Sequence, residues 1–247
     1  MSSEPRSFSP IHSLARCGDW RRRHRGNQRQ GGPGISYGTG ESLVFAKIHL
    51  DDPRLNALWE KCADLGLSVN VHIGEDQWMY GPKDETNDGL MNALAWRLDN
   101  QPGLLSHDQL LATLERAAVK HPRTIFIACH FANCRADLGR LGTMLDAHPN
   151  LYADISARYG ETAPIPRFMA GFYERYQDRL LYGTDMGDAR EMYQATFRIL
   201  ETADEHFYEL ELFDYHWPLH GFALGGGILK KIYRDNVLKI AGKIKGR

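Results

Sequence analysis

Imidazoles and carboxylates stand at the ends of this chain's apolar runs, and that placement constrains the fold more than any other feature. The runs are Ser42–Leu50 (with Lys47 and His49), Leu67–His72, Thr124–His130, Leu151–Ile155 (with Asp154) and Leu180–Asp185. Each is short, continuous and bounded by turn residues, the pattern of a strand buried on both faces. Amphipathic stretches at about 51–65, 107–120, 134–147, 164–177 and 188–203 separate them. Strands alternating with helices of this length predict a parallel sheet with helical crossovers. In such a sheet the carboxyl ends of all strands point to one face, where α/β enzymes carry their chemistry. Lys47, His49, His72, His130, Asp154 and Asp185 are therefore expected on one rim.

The spacing supports consecutive units. His72 follows Lys47 by 25 residues, Asp154 follows His130 by 24, and Asp185 follows Asp154 by 31. The 58 residues from His72 to His130 hold an excursion, Gly74–His107, rather than a missing strand. Its start carries Trp78 and Tyr80 and reads as an active-site loop touching substrate. Its middle, Asn87–Leu98, reads as an added helix. Arg158, just past Asp154, is placed to bind an acidic substrate group or to pair with Glu161.

Composition narrows the class. Of 247 residues, 43% are hydrophobic and 25% charged, which excludes disordered and fibrous chains. No apolar run approaches the length of a membrane span, four cysteines are too few for a stapled secreted domain, and no signal-peptide core opens the chain. A cytoplasmic protein that binds no membrane is expected. The net charge of -1 conceals an asymmetry, because residues 1–40 hold seven arginines against Glu4 and Asp19. Arg21-Arg22-Arg23-His24-Arg25 would suit nucleic acid or an acidic membrane. No aromatic or repeated basic pattern supports such a surface, so residues 1–40 read as a solvated, disordered, Gly- and Arg-rich leader. Residues 41–247 read as one domain, free to form a homo-oligomer, with a small molecule and not nucleic acid as its partner.

Imidazole nitrogen and carboxylate oxygen together suit zinc, manganese or iron(II). One such residue after a strand more often closes a loop than binds a metal; several on one rim favour a site. Other signals are weaker. Cys129-His130 with Cys134 lacks a second ligand pair, His216 and His220 are separated by Pro218, and Gly225-Gly226-Gly227 lacks the residues of a phosphate loop.

Asn70-Val71-His72-Ile73, Ala128-Cys129-His130-Phe131-Ala132 and Leu181-Tyr182-Gly183-Thr184-Asp185 resemble strands five, six and eight of the amidohydrolase superfamily. The nearer likeness is to the amidohydrolase-related group, family 2, which includes metal-dependent decarboxylases of the aminocarboxymuconate-semialdehyde type. Lys230–Ile240 resembles the group's final helix, and the likeness extends over about 41–242. It implies a partial TIM (β/α)8 barrel, units four to eight. It also implies that His72 and Asp185 ligate a divalent metal, most simply zinc, with Asp185 taking a proton from water. His130 would be a second-metal ligand or the group that polarises substrate. Lys47 falls where binuclear members carry a modified lysine; a barrel-interior lysine paired with a carboxylate suits it equally. The family's opening His-x-His pair occurs nowhere in this sequence, so the chain reads as the carboxyl-terminal five-eighths of a barrel. The expected function is metal-dependent hydrolysis of C–N or C–O bonds, with non-oxidative decarboxylation or an inactive remnant as the alternatives.

Overall fold

The computed structural model describes residues 34–37, 48–87, 103–185, 190–213 and 217–245. Five strands, β1 (Gly34–Tyr37), β2 (Ser68–Val71), β3 (Ile125–Ala128), β4 (Leu151–Asp154) and β5 (Leu180–Leu181), form one sheet in the order β1-β2-β3-β4-β5. Every neighbouring pair is parallel, with Val71 beside Ala128, Ala128 beside Ala153, and Ala153 beside Leu180. Sequential order with parallel pairing is the arrangement of consecutive barrel units, and the chain is an α/β partial barrel.

The first strand corrects the sequence reading. It lies at Gly34–Tyr37, inside the stretch expected to be leader. Its two-residue alternation, Ile35 and Tyr37, is masked by surrounding glycines. Residues 41–47, and Lys47 with them, lie outside the described residues. Ile48–Leu50 is a turn rather than a strand, and Leu50 is buried with its carbonyl accepting from Trp59 Nε1 at 2.9 Å. Its apolar character serves the first helix, not the sheet.

Helix α1 (Asn56–Asp64) follows a 3-10 turn whose first N–H groups are capped by Asp52, which accepts from Arg54 N at 2.9 Å. Helix α2 (His107–Lys120) opens with a reciprocal capping box between Ser106 and Gln109. Helix α3 (Leu138–Ala147) is capped by Asp137, and α4 (Pro166–Tyr176) starts on the proline favoured at a first turn. Helix α5 (Arg190–Glu201) precedes a final assembly of α6 (Gly226–Lys230), a π turn at Lys231–Asp235, and α7 (Asn236–Lys245). Among the described residues, no helix is long and apolar enough to cross a membrane.

Alternation along the strands divides the sheet into two faces. One face, with Val69, Val71, Phe126, Ala128, Leu151, Ala153 and Leu180, packs into the main core beside Trp59, Leu114, Leu141, Met144 and Ile199. The other presents Ile127, Tyr152 and Leu181, which bury Ile240 of α7 in a separate small cluster. His72 and Asp154 continue the parity of that second face. The outer edge of β5 is closed by the last helices: Tyr182 N donates to Ile232 O at 3.1 Å, and Asn236 Nδ2 donates to Leu180 O at 2.7 Å.

Candidate active site

Three strand ends deliver side chains to one place. His72 follows β2, and its Nε2 is buried, makes no hydrogen bond, and lies 3.3 Å from Glu75 Oε1. His130 follows β3, and its ring stands edge-on to that of His72, with centroids 5.1 Å apart. Asp185 follows β5, its carboxylate about half exposed, with Oδ2 3.3 Å from His130 Nε2. Burial holds the His130 imidazole below its usual pKa, against the opposing pull of the Asp154 and Asp185 carboxylates.

The backbone that presents these groups is unusual. His130, Phe131, Ala132 and Asn133 all have φ between 53° and 58°, a left-handed turn without a glycine, and Asp185 has φ 56°. A non-glycine residue in this region costs roughly 1–2 kcal/mol, so the surrounding contacts must hold the turn. Phe131 and Ala132 are fully buried, and Asn133 Nδ2 donates to Gly74 O, tying the loop after β3 to the loop after β2. Asp154 supplies a further anchor, because its Oδ1 accepts from His130 N at 3.0 Å.

The same Asp154 oxygen accepts from Ser156 N at 3.0 Å and touches Ser156 Oγ, while Ser156 Oγ lies 2.9 Å from His130 Nδ1. Sequence reasoning placed Asp154 on the rim and missed Ser156. The available signal was the Asp-x-Ser spacing, which puts both residues on one side of the chain after a strand.

Other expected contributors sit differently. Arg158 Nη1 donates to Asp76 Oδ2 at 2.7 Å and Glu161 Oε1 at 2.5 Å, so two carboxylates already engage it. The Tyr80 hydroxyl accepts from Glu75 N at 3.0 Å, and burial pushes its pKa up to about 12. Trp78 lines a hollow of about 390 Å³ with Gln77, Thr86, Asn87, Arg135, Ala136 and Asp137, apart from His72, His130 and Asp185. His49 lies in a turn, where its carbonyl accepts from Asp52 N at 3.0 Å. Cys129 neighbours Asp154, and burial followed by that carboxylate's charge raises its thiol pKa; Cys134 is buried with a thiol pushed up to about 12. The helix expected at Asn87–Leu98 lies, from residue 88 on, outside the described residues, as does His216.

The donor types here suit a divalent ion. The 3.3 Å between His130 Nε2 and Asp185 Oδ2 is a separation two ligands of one ion can have, and His72 Nε2, which makes no hydrogen bond, is a second nitrogen of the right kind. Among the described residues, however, no three His, Cys, Asp or Glu side chains converge closely enough to hold an ion. The fit is partial: these residues would form part of a shell.

An amidohydrolase family model matches residues 38–240. The chain belongs to the amidohydrolase family. No curated protein matches it. Among solved structures, this amidohydrolase is similar to one described as an amidohydrolase II, with 13% identity over 94% of this chain and 78% of that chain and a TM-score of 0.51. It is also similar to an uncharacterised TIM-barrel protein from Bordetella bronchiseptica, with 14% identity over 94% of this chain and 73% of that one and a TM-score of 0.46. A third is a dihydroxybenzoic acid decarboxylase from Polaromonas sp. JS666 with bound manganese and the inhibitor 2-nitroresorcinol, at 14% identity and a TM-score of 0.44. This amidohydrolase covers 55% of that chain's length, and 78% of its own residues are matched. At 13% identity and a TM-score of 0.51, the likeness to the first of these shows the fold alone.

Proposed function

We propose that this amidohydrolase is a metal-dependent hydrolase acting on C–N or C–O bonds of a small molecule, with His72, His130 and Asp185 at its centre. The observation that carries this reading is the pairing of His130 Nε2 with Asp185 Oδ2 at 3.3 Å, beside the ring of His72. Asp185, open to solvent on one side, is the group that takes a proton from the attacking water. His130, buried and biased toward its neutral form, accepts a proton at Nε2 and returns it to the leaving group. His72 and Asp185, with His130 where it is not moving a proton, would form part of the ion's shell, with zinc as the metal and further donors completing it. When bound, the ion supplies a Lewis acid that polarises a carbonyl and makes water acidic near neutral pH. Arg158, paired with Asp76 and Glu161, supports the site wall rather than binding a free acidic group.

Metal analysis of the purified chain by mass spectrometry, alongside a panel of amides, esters and aromatic carboxylates, tests this proposal. The expected result is one divalent ion per chain, lost in His72→Ala and in Asp185→Ala, with release of amine or alcohol. Release of carbon dioxide would make the chain a decarboxylase instead. Neither metal nor turnover would leave a catalytically silent barrel fragment and overturn the proposal.

A further inference from the structure

The contacts around His130 fix where its single proton sits when the ring is neutral. Asp154 Oδ1 accepts two backbone N–H groups, from His130 and Ser156, each at 3.0 Å. Backbone N–H groups can only donate, so this oxygen meets both of them as an acceptor. Ser156 Oγ lies against that same oxygen, so the one hydroxyl proton must point at Asp154. The hydroxyl is thereby committed as a donor, and toward His130 it has only lone pairs to offer. His130 Nδ1, 2.9 Å from Ser156 Oγ, must then be the donor of that contact. The opposite polarity, with Ser156 donating to the ring, would leave the hydroxyl oxygen facing the carboxylate with no proton between them.

We propose that Ser156 is a positioning residue that locks His130 in the Nδ1–H tautomer, so that the bare lone pair of Nε2 faces His72 and Asp185. The order Asp154–Ser156–His130 works as a one-way relay of hydrogen-bond polarity. Its direction is set by a carboxylate whose own orientation is held by the backbone of the turn it serves. Asp154 therefore does two things at once: it anchors the left-handed turn through His130 N, and it dictates through Ser156 which nitrogen of that ring carries hydrogen. With the proton on Nδ1, Nε2 can accept a proton, coordinate a cation or accept from a substrate N–H, and it cannot donate. This goes beyond the hydrolase reading and needs neither metal nor turnover, so either can fail while the other stands.

The test is a long-range proton–nitrogen correlation spectrum of the metal-free chain labelled with 15N-histidine, at a pH where the ring is neutral. His130 is assigned by the cross-peaks lost in His130→Gln. The expected spectrum shows a protonated, pyrrole-type Nδ1 and an unprotonated, pyridine-type Nε2. Ser156→Ala removes the acceptor, and the pattern is expected to reverse or to collapse to averaged shifts; Ser156→Thr, which keeps the hydroxyl, is expected to restore it. A wild-type spectrum with the proton on Nε2 would overturn the proposal, and so would an unchanged His130 pattern in Ser156→Ala. The wild-type arm stands even if the alanine variant fails to fold.

Discussion

The two ends of the sheet use polar side chains in opposite ways. At the amino ends of the strands they close turns onto backbone. Asn150 Nδ2 reaches the carbonyls of Ala118, His121 and Thr124, Thr124 Oγ1 donates to Trp59 O, and Arg179 Nη2 donates to His148 O and Leu151 O. The one left-handed position in those connections is Gly66, which takes φ 64° without penalty. At the carboxyl ends the polar groups meet one another around His130; Gly103 is left-handed in the long β2–α2 connection, but the left-handed positions nearest the site, His130–Asn133, Ala157 and Asp185, are not glycines. One end is built for low energy; the other holds costly backbone so that side chains face each other. Residues in strained conformations cluster where a surrounding structure has a reason to over-determine them.

Substitutions can break this division. The largest expected effect is at the amino end, where Asn150→Ala orphans buried carbonyls. It should lower stability by about 2–4 kcal/mol in denaturant titrations, because each unsatisfied buried group costs about 1–3 kcal/mol. The same variant should leave the His130 nitrogen spectrum unchanged. Ser156→Ala should cost less stability, about 1–2 kcal/mol as the buried His130 Nδ1 loses its acceptor, but it should weaken zinc uptake about 10–100-fold, as when the partner of a ligating imidazole is lost. Isothermal titration of both variants with zinc reads that contrast; equal losses would erase the distinction between the ends.

A smaller, signed pair follows from the backbone. Gly66→Ala should cost about 1 kcal/mol, while Ala132→Gly should be neutral or gain up to about 1 kcal/mol as left-handed strain is relieved. Paired denaturant midpoints check the signs, and a loss in Ala132→Gly well beyond the roughly 1 kcal/mol of burial given up with one methyl would show that the turn is not strained. The smallest effect is shared by both ends. Burial lowers the pKa of His107, beside the site loops, and of His121, beside Asn56 at the amino end, from the usual 6.5. The unfolded chain therefore binds more protons, so stability is full above about pH 6.5 and falls as pH drops below it. His107→Gln and His121→Gln should each flatten that slope. The Arg140 hydrogen bond depresses the pKa of Glu115 below 4.5, so this contribution persists until pH falls below that range.

Much of this molecule was legible from side-chain periodicity. Helix α2 occupies the predicted 107–120, and β2, β3 and β4 lie within the predicted runs. Helix α3 starts at Leu138 rather than 134 because a turn closed by Asp137 N donating to Cys134 O, and the Asp137 cap itself, use the intervening residues. The run at 180–185 pairs over only two residues, since Tyr182 N turns to the π turn instead of a strand. That His72, His130 and Asp185 would lie near one another was legible because strand ends in a parallel sheet share one rim, and family membership was legible from their order. Ser156 was not, because its role depends on contacts with residues 26 positions back in the chain. Arg158 could be read either as a substrate anchor or as an ion-pair partner. Its choice of Glu161, three residues away, and of Asp76, 82 residues away, is a matter of folded geometry.

The closed outer edge of β5 bears on how this sheet can grow. A strand joining there would have to displace the Ile232 carbonyl from Tyr182 N and Asn236 Nδ2 from Leu180 O. It would give up about 1 kcal/mol for each contact before gaining any of its own. In polymer terms that side of the sheet is a terminated end, capped by a helix of the same chain.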